Sequence, residues 1–378
     1  MAQVIIKPQA LSECAEAAAA VRHIIHACPE VGLDLVETEK TIVEALKSFG
    51  CEDIHTRVGG KDVAGVVCVI KGNKPGRTIG LRADSDALPL NENTGVPYTS
   101  TKEKRMHACG HDGHVATLLA VVKYLQENRD FAGTLVAIFQ PGEEGFAGAR
   151  FMVEDGLVDR FGIEEFYALH TEPSLDVGTV GFIEGYATAN ADIFEITFTG
   201  KGGHGSRPQM AHDPVVAAAE AVGALQSIVS RNVSPELSAV VSVCSLQAGD
   251  TNGTSVIPQK ALVRGTARSF EPEVRDLIER RIATIAEGIA IAHEMQATPV
   301  YTRLYPAMYN TPERVQEARS LAVQCLGEDC VKPLKRSHGG EDFSFMLLQR
   351  PGCLFRLGNR DAEHDAPVHN ERFNFNDK

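Results

Sequence analysis

Residues 107–114 read HACGHDGH, crowding three imidazoles, a thiol and a carboxylate into one short stretch. Thiolate and imidazole together suit a borderline-soft divalent metal, so Cys109 and His111 are candidate ligands. A lone histidine beside Asp112, itself a capping group at a helix start, would read as an ordinary solvated side chain. Three histidines and a cysteine would not. A rival reading makes Cys109 a nucleophile with His111 as its base. Their i, i+2 spacing makes mutual hydrogen bonding awkward and ranks that reading lower. A second cluster, QPGEEGFAG at residues 140–148, holds the adjacent acids Glu143 and Glu144. Neighbouring carboxylates repel, and a cation or a shared proton offsets that cost. His170, the pair Asp84 and Asp86 in LRADSDALP, and His364 and His369 near the carboxyl terminus complete the set.

These clusters need elements to aim them. Apolar β-rich runs at 63–70, 78–82, 134–139 and 166–169 alternate with helical patterns at 11–27, 36–49 and 115–125, which predicts an α/β sheet flanked by helices. The Asp84/Asp86 pair, the Glu143/Glu144 pair and His170 each follow one of those runs. In open α/β sheets ligands gather at the carboxyl ends of strands, so this coincidence argues for a metal centre. From 191 to 304 the order changes to βαββαβ, the signature of a ferredoxin-like unit. The expected organisation is a catalytic domain of residues 1–188 and 306–378, with a mixed sheet flanked by helices. A smaller ferredoxin-like α+β lid, residues 189–305, interrupts it.

The inserted segment has its own candidates. GKGGHGSRP at 200–208 follows a strand, and its glycines let the backbone approach a ligand closely. His204 and Arg207 there can donate to an oxyanion or a carboxylate, although a glycine-rich hairpin with incidental charge is about as common. Asn252, in GDTNGTSVIP, is a further donor, and Arg268 is a candidate clamp for a substrate carboxylate.

Composition limits the alternatives. At 378 residues and 43% hydrophobic content the chain is long enough for two cores. The balance of 37 Lys and Arg against 50 Asp and Glu, a net charge of −13 without a basic cluster, argues against nucleic acid. Apolar runs are strand-sized, so neither a membrane span nor a secretory signal is expected. Nine irregularly spaced cysteines fit a reduced cytoplasmic setting better than a disulfide framework.

Taken in order, LRADSDALP, MHACGHDGH, FQPGEEG, the His170 segment, GKGGHGSRP and the closing VHNERFNFND resemble the amidohydrolase branch of the aminoacylase and carboxypeptidase metallopeptidase superfamily, which includes hippurate hydrolase and auxin-conjugate hydrolase. The likeness spans nearly the whole chain. It implies two divalent ions (Zn, Mn, Co or Ni) held by Cys109, His111, Glu144, His170 and His369, with Cys109 bridging. Glu143 is then the general base and acid, Asp86 a carboxylate that orients a ligand or the water, and His204 an oxyanion donor reaching from a partner's lid. His107, His114 and His364 have no ligand role in the pattern. The implied reaction is hydrolysis of an N-acyl amino acid by a homodimer, or a tetramer, assembled through the lid. Alternatives are a dipeptidase or exopeptidase on the same scaffold, or a binding protein that has lost activity. The intact Glu143 and the full ligand set argue against the last. Two departures stand out: Ser255 occupies a place where relatives carry Asn, and Asn370-Glu371 follows His369 where Ser-Pro is common.

Overall fold

A computed structural model describes residues 8–378. Along the chain come α1 (Pro8–Ala27), α2 (Val36–Ser48), β1 (Ile54–His55), β2 (Val66–Lys71), β3 (Lys74–Asp84), α3 (His111–Glu127) and β4 (Ala132–Gln140). Next are α4 (Gly148–Glu154), α5 (Leu157–Phe161), β5 (Glu165–Asp176), β6 (Val180–Phe182) and β7 (Gly185–Thr188). The middle holds β8 (Ala191–Thr199), β9 (Gly203–His204), α6 (Pro214–Asn232), β10 (Ala239–Ala248), β11 (Val256–Ile257), β12 (Lys260–Ser269), α7 (Pro272–Ala292) and β13 (Gln296–Tyr305). The chain closes with β14 (Met308–Asn310), α8 (Pro312–Leu326), β15 (Val331–Pro333), α9 (Ser344–Leu347) and β16 (Gly352–Arg360).

These elements form two units. The larger takes residues 8–185 with Tyr309–Lys335 and Asp342–Lys378. Its mixed sheet has the order β1-β2-β4-β3-β5-β16-β6-β15. The four neighbours β4, β3, β5 and β16 are mutually parallel, so their carboxyl ends share one edge. Strand β2 is Val-rich and almost wholly buried, as a strand covered on both faces must be. Apolar side chains of α1, α2 and α3, including Ile25, Leu46 and Leu119, pack with Val66, Leu135 and Phe139 of the sheet into one core. The β3–α3–β4 crossover starts from the carboxyl end of β3 and so delivers the first turn of α3 to that edge.

The smaller unit is Tyr186–Met308 with Arg336–Glu341. Its antiparallel sheet, in the order β10-β12-β8-β13, carries α6 and α7 in the expected βαββαβ succession. Phe194, Ile196 and Phe198 alternate along β8 toward the helices. They meet Ala217, Ala221 and Leu225 of α6 and the i, i+4 series Val274, Ile278 and Ile282 of α7. Proline opens α6, α7 and α8, where its missing N–H costs nothing.

Two local expectations change. Helix α3 begins at His111 rather than at residue 115, because Gly110, at φ +81°, makes the sharp entry that lets HDGH form the first turn. Strand β5 continues to Asp176, so His170 sits inside a strand, yet beyond Arg82↔Ala168, where pairing with β3 stops. That leaves the His170 ring at the open edge of the sheet.

Candidate metal centre

At that edge Asp86 organises the surroundings. Its two carboxylate oxygens accept from the main-chain N–H groups of Glu143 (3.0 Å) and Glu144 (3.1 Å). One of them also lies 3.2 Å from His111 Nδ1. A carboxylate that receives main-chain N–H groups is an acceptor, so His111 carries a proton on Nδ1, which leaves Nε2 as the ring nitrogen open to a ligand; burial lowers the ring's affinity for a second proton, but Asp84 raises it in the metal-free protein. That Nε2 is fully buried and has no hydrogen-bond partner. A buried acceptor left bare costs free energy unless something absent from the polypeptide fills it, as a metal ion would.

His170 is oriented by the same logic. Its Nδ1 lies 2.7 Å from the Thr171 carbonyl, which can only accept, so Nε2 bears the lone pair. Nε2 is 3.4 Å from Cys109 Sγ. Burial holds the His170 ring neutral, well below its ordinary titration range. His369 reaches Glu144 from the carboxyl-terminal segment with Nε2 to Oε1 at 3.1 Å, and its N–H donates to the Ala108 carbonyl at 2.7 Å. Its backbone is left-handed at φ +62°, a conformation rare outside glycine that marks a constrained position. Contact with Glu144 raises the His369 ring's affinity for a proton.

Ligand atoms of Cys109, His111 and His170 lie within 4.8 Å of one another, as do those of Cys109, Glu144 and His369, and those of His111, Glu143 and Glu144. Cys109 belongs to two of these groups. Burial pushes its thiol up to about 12 despite His111 alongside, so without cations it stays protonated and is a poor nucleophile. The i, i+2 pair does come together, since the turn at Gly110 folds Cys109 and His111 toward a common point. That turn removes the obstacle expected of an i, i+2 pair, and burial of Cys109 is the stronger objection to a thiol hydrolase. Thiolate, imidazole and carboxylate donors converging around an unpartnered nitrogen fit two divalent ions.

A further group, Asp84 with His111 and His114, has the spacing of ligands but is already spent. Asp84 receives Arg82 Nη1 at 2.8 Å and sits 2.5 Å from His114 Nδ1. His114 Nε2 accepts from the Thr171 N–H at 2.9 Å. Burial would raise Asp84, but the Arg82 and His111 charges and the hydrogen bond with His114 hold it well below the usual carboxylate range. Arg82 also donates to Asp342 (2.9 Å) and Gln140 (2.8 Å), and Asp342 accepts from the Ala149 N–H opening α4. Arg82, Asp342 and the contacts of His114 carry no signal in the linear sequence beyond their nearness to the motifs. His107 is fully buried, and that burial pushes its ring down to about 3, keeping it neutral. His364 binds Asp361.

The remaining candidates lie in the smaller unit. His204 is exposed on β9, and its Nδ1 accepts from the Ser206 N–H (3.1 Å), so the neutral ring is an Nε2–H donor. Gly205 N–H is held by the Ser255 carbonyl at 2.8 Å, which keeps the turn in place through main chain alone. Arg207 and Asn252 are exposed loop residues. Arg268 is half-buried, with Nη1 on the carbonyls of Asp192 and Ala267.

A mixed α/β sheet whose parallel central strands carry potential metal-binding groups at their carboxyl edge, together with a ferredoxin-like unit inserted in the chain, fits a two-metal hydrolase architecture. Residues 80–378 match the model of peptidase family M20/M25/M40. The chain is 40% identical over 359 residues to hippurate hydrolase of Campylobacter jejuni, covering 95% of this chain and 91% of that one. It is 38% identical to N-acetylcysteine deacetylase of Bacillus subtilis, covering 91% and 88%. A dinuclear metal-binding peptidase of the M20 family from Bacillus subtilis superimposes with a TM-score of 0.83 at 32% identity, covering 97% of this chain and 94% of that one. The chain therefore belongs to peptidase family M20/M25/M40 and is a metal-dependent amidohydrolase.

Proposed function

We propose that this protein hydrolyses the amide bond of N-acyl-L-amino acids, releasing a carboxylic acid and a free amino acid, with Cys109, His111, Glu144, His170 and His369 as ligands of two divalent ions. The observation that carries the assignment is Cys109's membership of two ligand groups directly beside Glu143, whose N–H is pinned by Asp86. When bound, the ions supply Lewis acidity toward the scissile carbonyl and toward water. Glu143 accepts the proton of the attacking water. As the carbon–nitrogen bond breaks, Glu143 returns that proton to the departing amine nitrogen, so one carboxyl group serves as base and then as acid. Asp86 keeps Glu143 and Glu144 in register through their N–H groups, preventing the two acids from turning apart.

His204, held as an Nε2–H donor, is suited to the oxyanion of the tetrahedral intermediate. We place it there from the partner subunit of a homodimer. Arg207, Asn252 and Arg268 are the smaller unit's candidates for the substrate carboxylate. Zinc is the ion that this donor set favours over manganese, with cobalt and nickel as other candidates. A cytoplasmic site of action is consistent with nine cysteines that are all unpaired. Among the described residues, no helix is long and apolar enough to cross a membrane.

The test is amine release from hippurate, N-acetyl amino acids, indole-acetyl conjugates and dipeptides, before chelation, after it, and after adding back single divalent ions. Chelator-sensitive cleavage of acyl amino acids, restored by metal, is expected. Cleavage confined to dipeptides would replace this reading with an exopeptidase.

A further inference from the structure

His114 has no ligand role in the family pattern, yet it touches the strand that presents His170. Its ring is fully buried between two partners of opposite demand. On one side is the Asp84 carboxylate, 2.5 Å from Nδ1. On the other is a main-chain N–H, that of Thr171, 2.9 Å from Nε2. A main-chain N–H can only donate, so Nε2 must be bare and Nδ1 must carry the proton. Arg82 fixes the acidic side in turn by donating to Asp84 at 2.8 Å.

Thr171 is thus gripped at its N–H by His114 and at its carbonyl by the ring of His170. We propose that His114 is a positioning residue for the metal centre: by anchoring the Thr171 N–H it holds β5 at the residue whose carbonyl receives the His170 Nδ1–H, and so keeps the His170 Nε2 lone pair toward Cys109. If Thr171 rotates, its carbonyl no longer receives Nδ1–H, and the ligating tautomer of His170 loses its preference. Arg82, Asp84, His114 and Thr171 then form one rigid chain reaching from the end of β3, through the first turn of α3, to β5. The inference rests on His170 being a ligand, as proposed above.

Two substitutions separate the two ends of the ring. In His114→Gln the side-chain oxygen can occupy the place of Nε2 and accept from Thr171. In His114→Asn the amide can occupy the place of Nδ1 and donate to Asp84, but nothing reaches Thr171. The probe is Zn(II) alone, titrated into metal-free protein against a competing chelator, with melting of the metal-free proteins as the control for folding. His114→Asn is expected to bind Zn(II) about 10–100-fold more weakly than wild type, with His114→Gln within about threefold of it, as for other residues that orient metal-bound histidines. Ring ¹⁵N shifts of His170 in metal-free protein should report Nδ1–H in wild type and His114→Gln, and a mixture of tautomers in His114→Asn. Equal affinity for the two variants, or a wild-type tautomer in His114→Asn, overturns the proposal. A His170→Ala control that binds Zn(II) normally would overturn the ligand assignment and the proposal together. Weakened binding in His170→Ala beside normal binding in His114→Asn would overturn the proposal alone.

Discussion

Each residue at this centre acts through the protonation state its neighbours impose. Asp86 takes the Nδ1 side of His111 and the Thr171 carbonyl the Nδ1 side of His170, so that Nε2 is the nitrogen each would offer a metal in the proposed centre, and burial holds Cys109 as a thiol. Two ions sharing one sulfur should both be lost with it. Cys109→Ala protein is expected to retain well under one metal per subunit after gel filtration, measured by elemental analysis, while circular dichroism stays unchanged. Retention of two equivalents would show that the thiol is dispensable. At this scale the sequence pointed to the donor groups that the structure brings together, because HACGHDGH, GEEG and His170 are chemically dense and fall at a helix start or near the carboxyl ends of strands. It was silent about Arg82, Asp342 and the role of His114, because their partners are far away along the chain: Arg82 and Asp342 are 260 residues apart.

At the scale of elements, the carboxyl-terminal segment must be seated before His369 can reach Glu144. Phe375 packs directly on Gly113 in the first turn of α3, where a Cβ would stand 2.2 Å from the ring. Fully buried Arg22 adds a second anchor, donating to Asp112 at 3.0 Å and to both oxygens of Asp377 at 2.6 and 2.7 Å. Gly113→Ala should therefore displace this segment and destabilise the protein by about 1–3 kcal/mol, as overpacking does. A lower midpoint in urea and a lower metal content would both follow. An unchanged midpoint would mean that the segment shifts freely and does not position His369. Periodicity revealed the longer helices and the main strands to within a few residues, except that β5 runs seven residues past its expected end. It missed the short helices α4, α5 and α9, and it missed β1, β6, β7, β9, β11, β14 and β15, which are only two to four residues long and take their conformation from pairing. It also placed the start of α3 late, since two glycines and two histidines look like a loop until a left-handed Gly110 turns them into a helix.

At the scale of the whole molecule, a buried charge cluster couples stability to pH. His26 lies between Asp112 (Nδ1, 2.8 Å) and Glu92 (Nε2, 3.0 Å), with Arg22, His107 and Tyr98 also facing it. Burial alone would lower its pKa, but the two carboxylates raise it to about 9. A histidine whose folded pKa is raised contributes stability that is fully present below its unfolded value near 6.5 and is lost as pH climbs through the folded value. Metal-free wild type should therefore lose up to about 3 kcal/mol between pH 6 and 10 on this account. His26→Gln should be less stable at pH 6 and show a flatter profile in urea titrations across that range. A slope that His26→Gln leaves unchanged would assign the effect to other groups. The two-unit organisation was legible from the switch to βαββαβ order, whereas assembly was not, because no single chain displays its partner. If His204 acts across a dimer, mixing His204→Ala with Glu143→Gln under verified subunit exchange should restore roughly a quarter of wild-type activity, since one hybrid site in two is intact and half the dimers are hybrids. No recovery would place His204 in its own subunit's site.

The proton traffic assigned to Glu143 is the centre of the mechanism, and one variant tests it with metal binding held apart from chemistry. Glu143→Gln protein, loaded with Zn(II) and analysed for metal, should hold two ions per subunit and cleave the best acyl amino acid at least about 100-fold more slowly than wild type, the loss expected when a general base is removed. A fully loaded variant that turns over within a few-fold of wild type would contradict the assignment of Glu143 as base and acid.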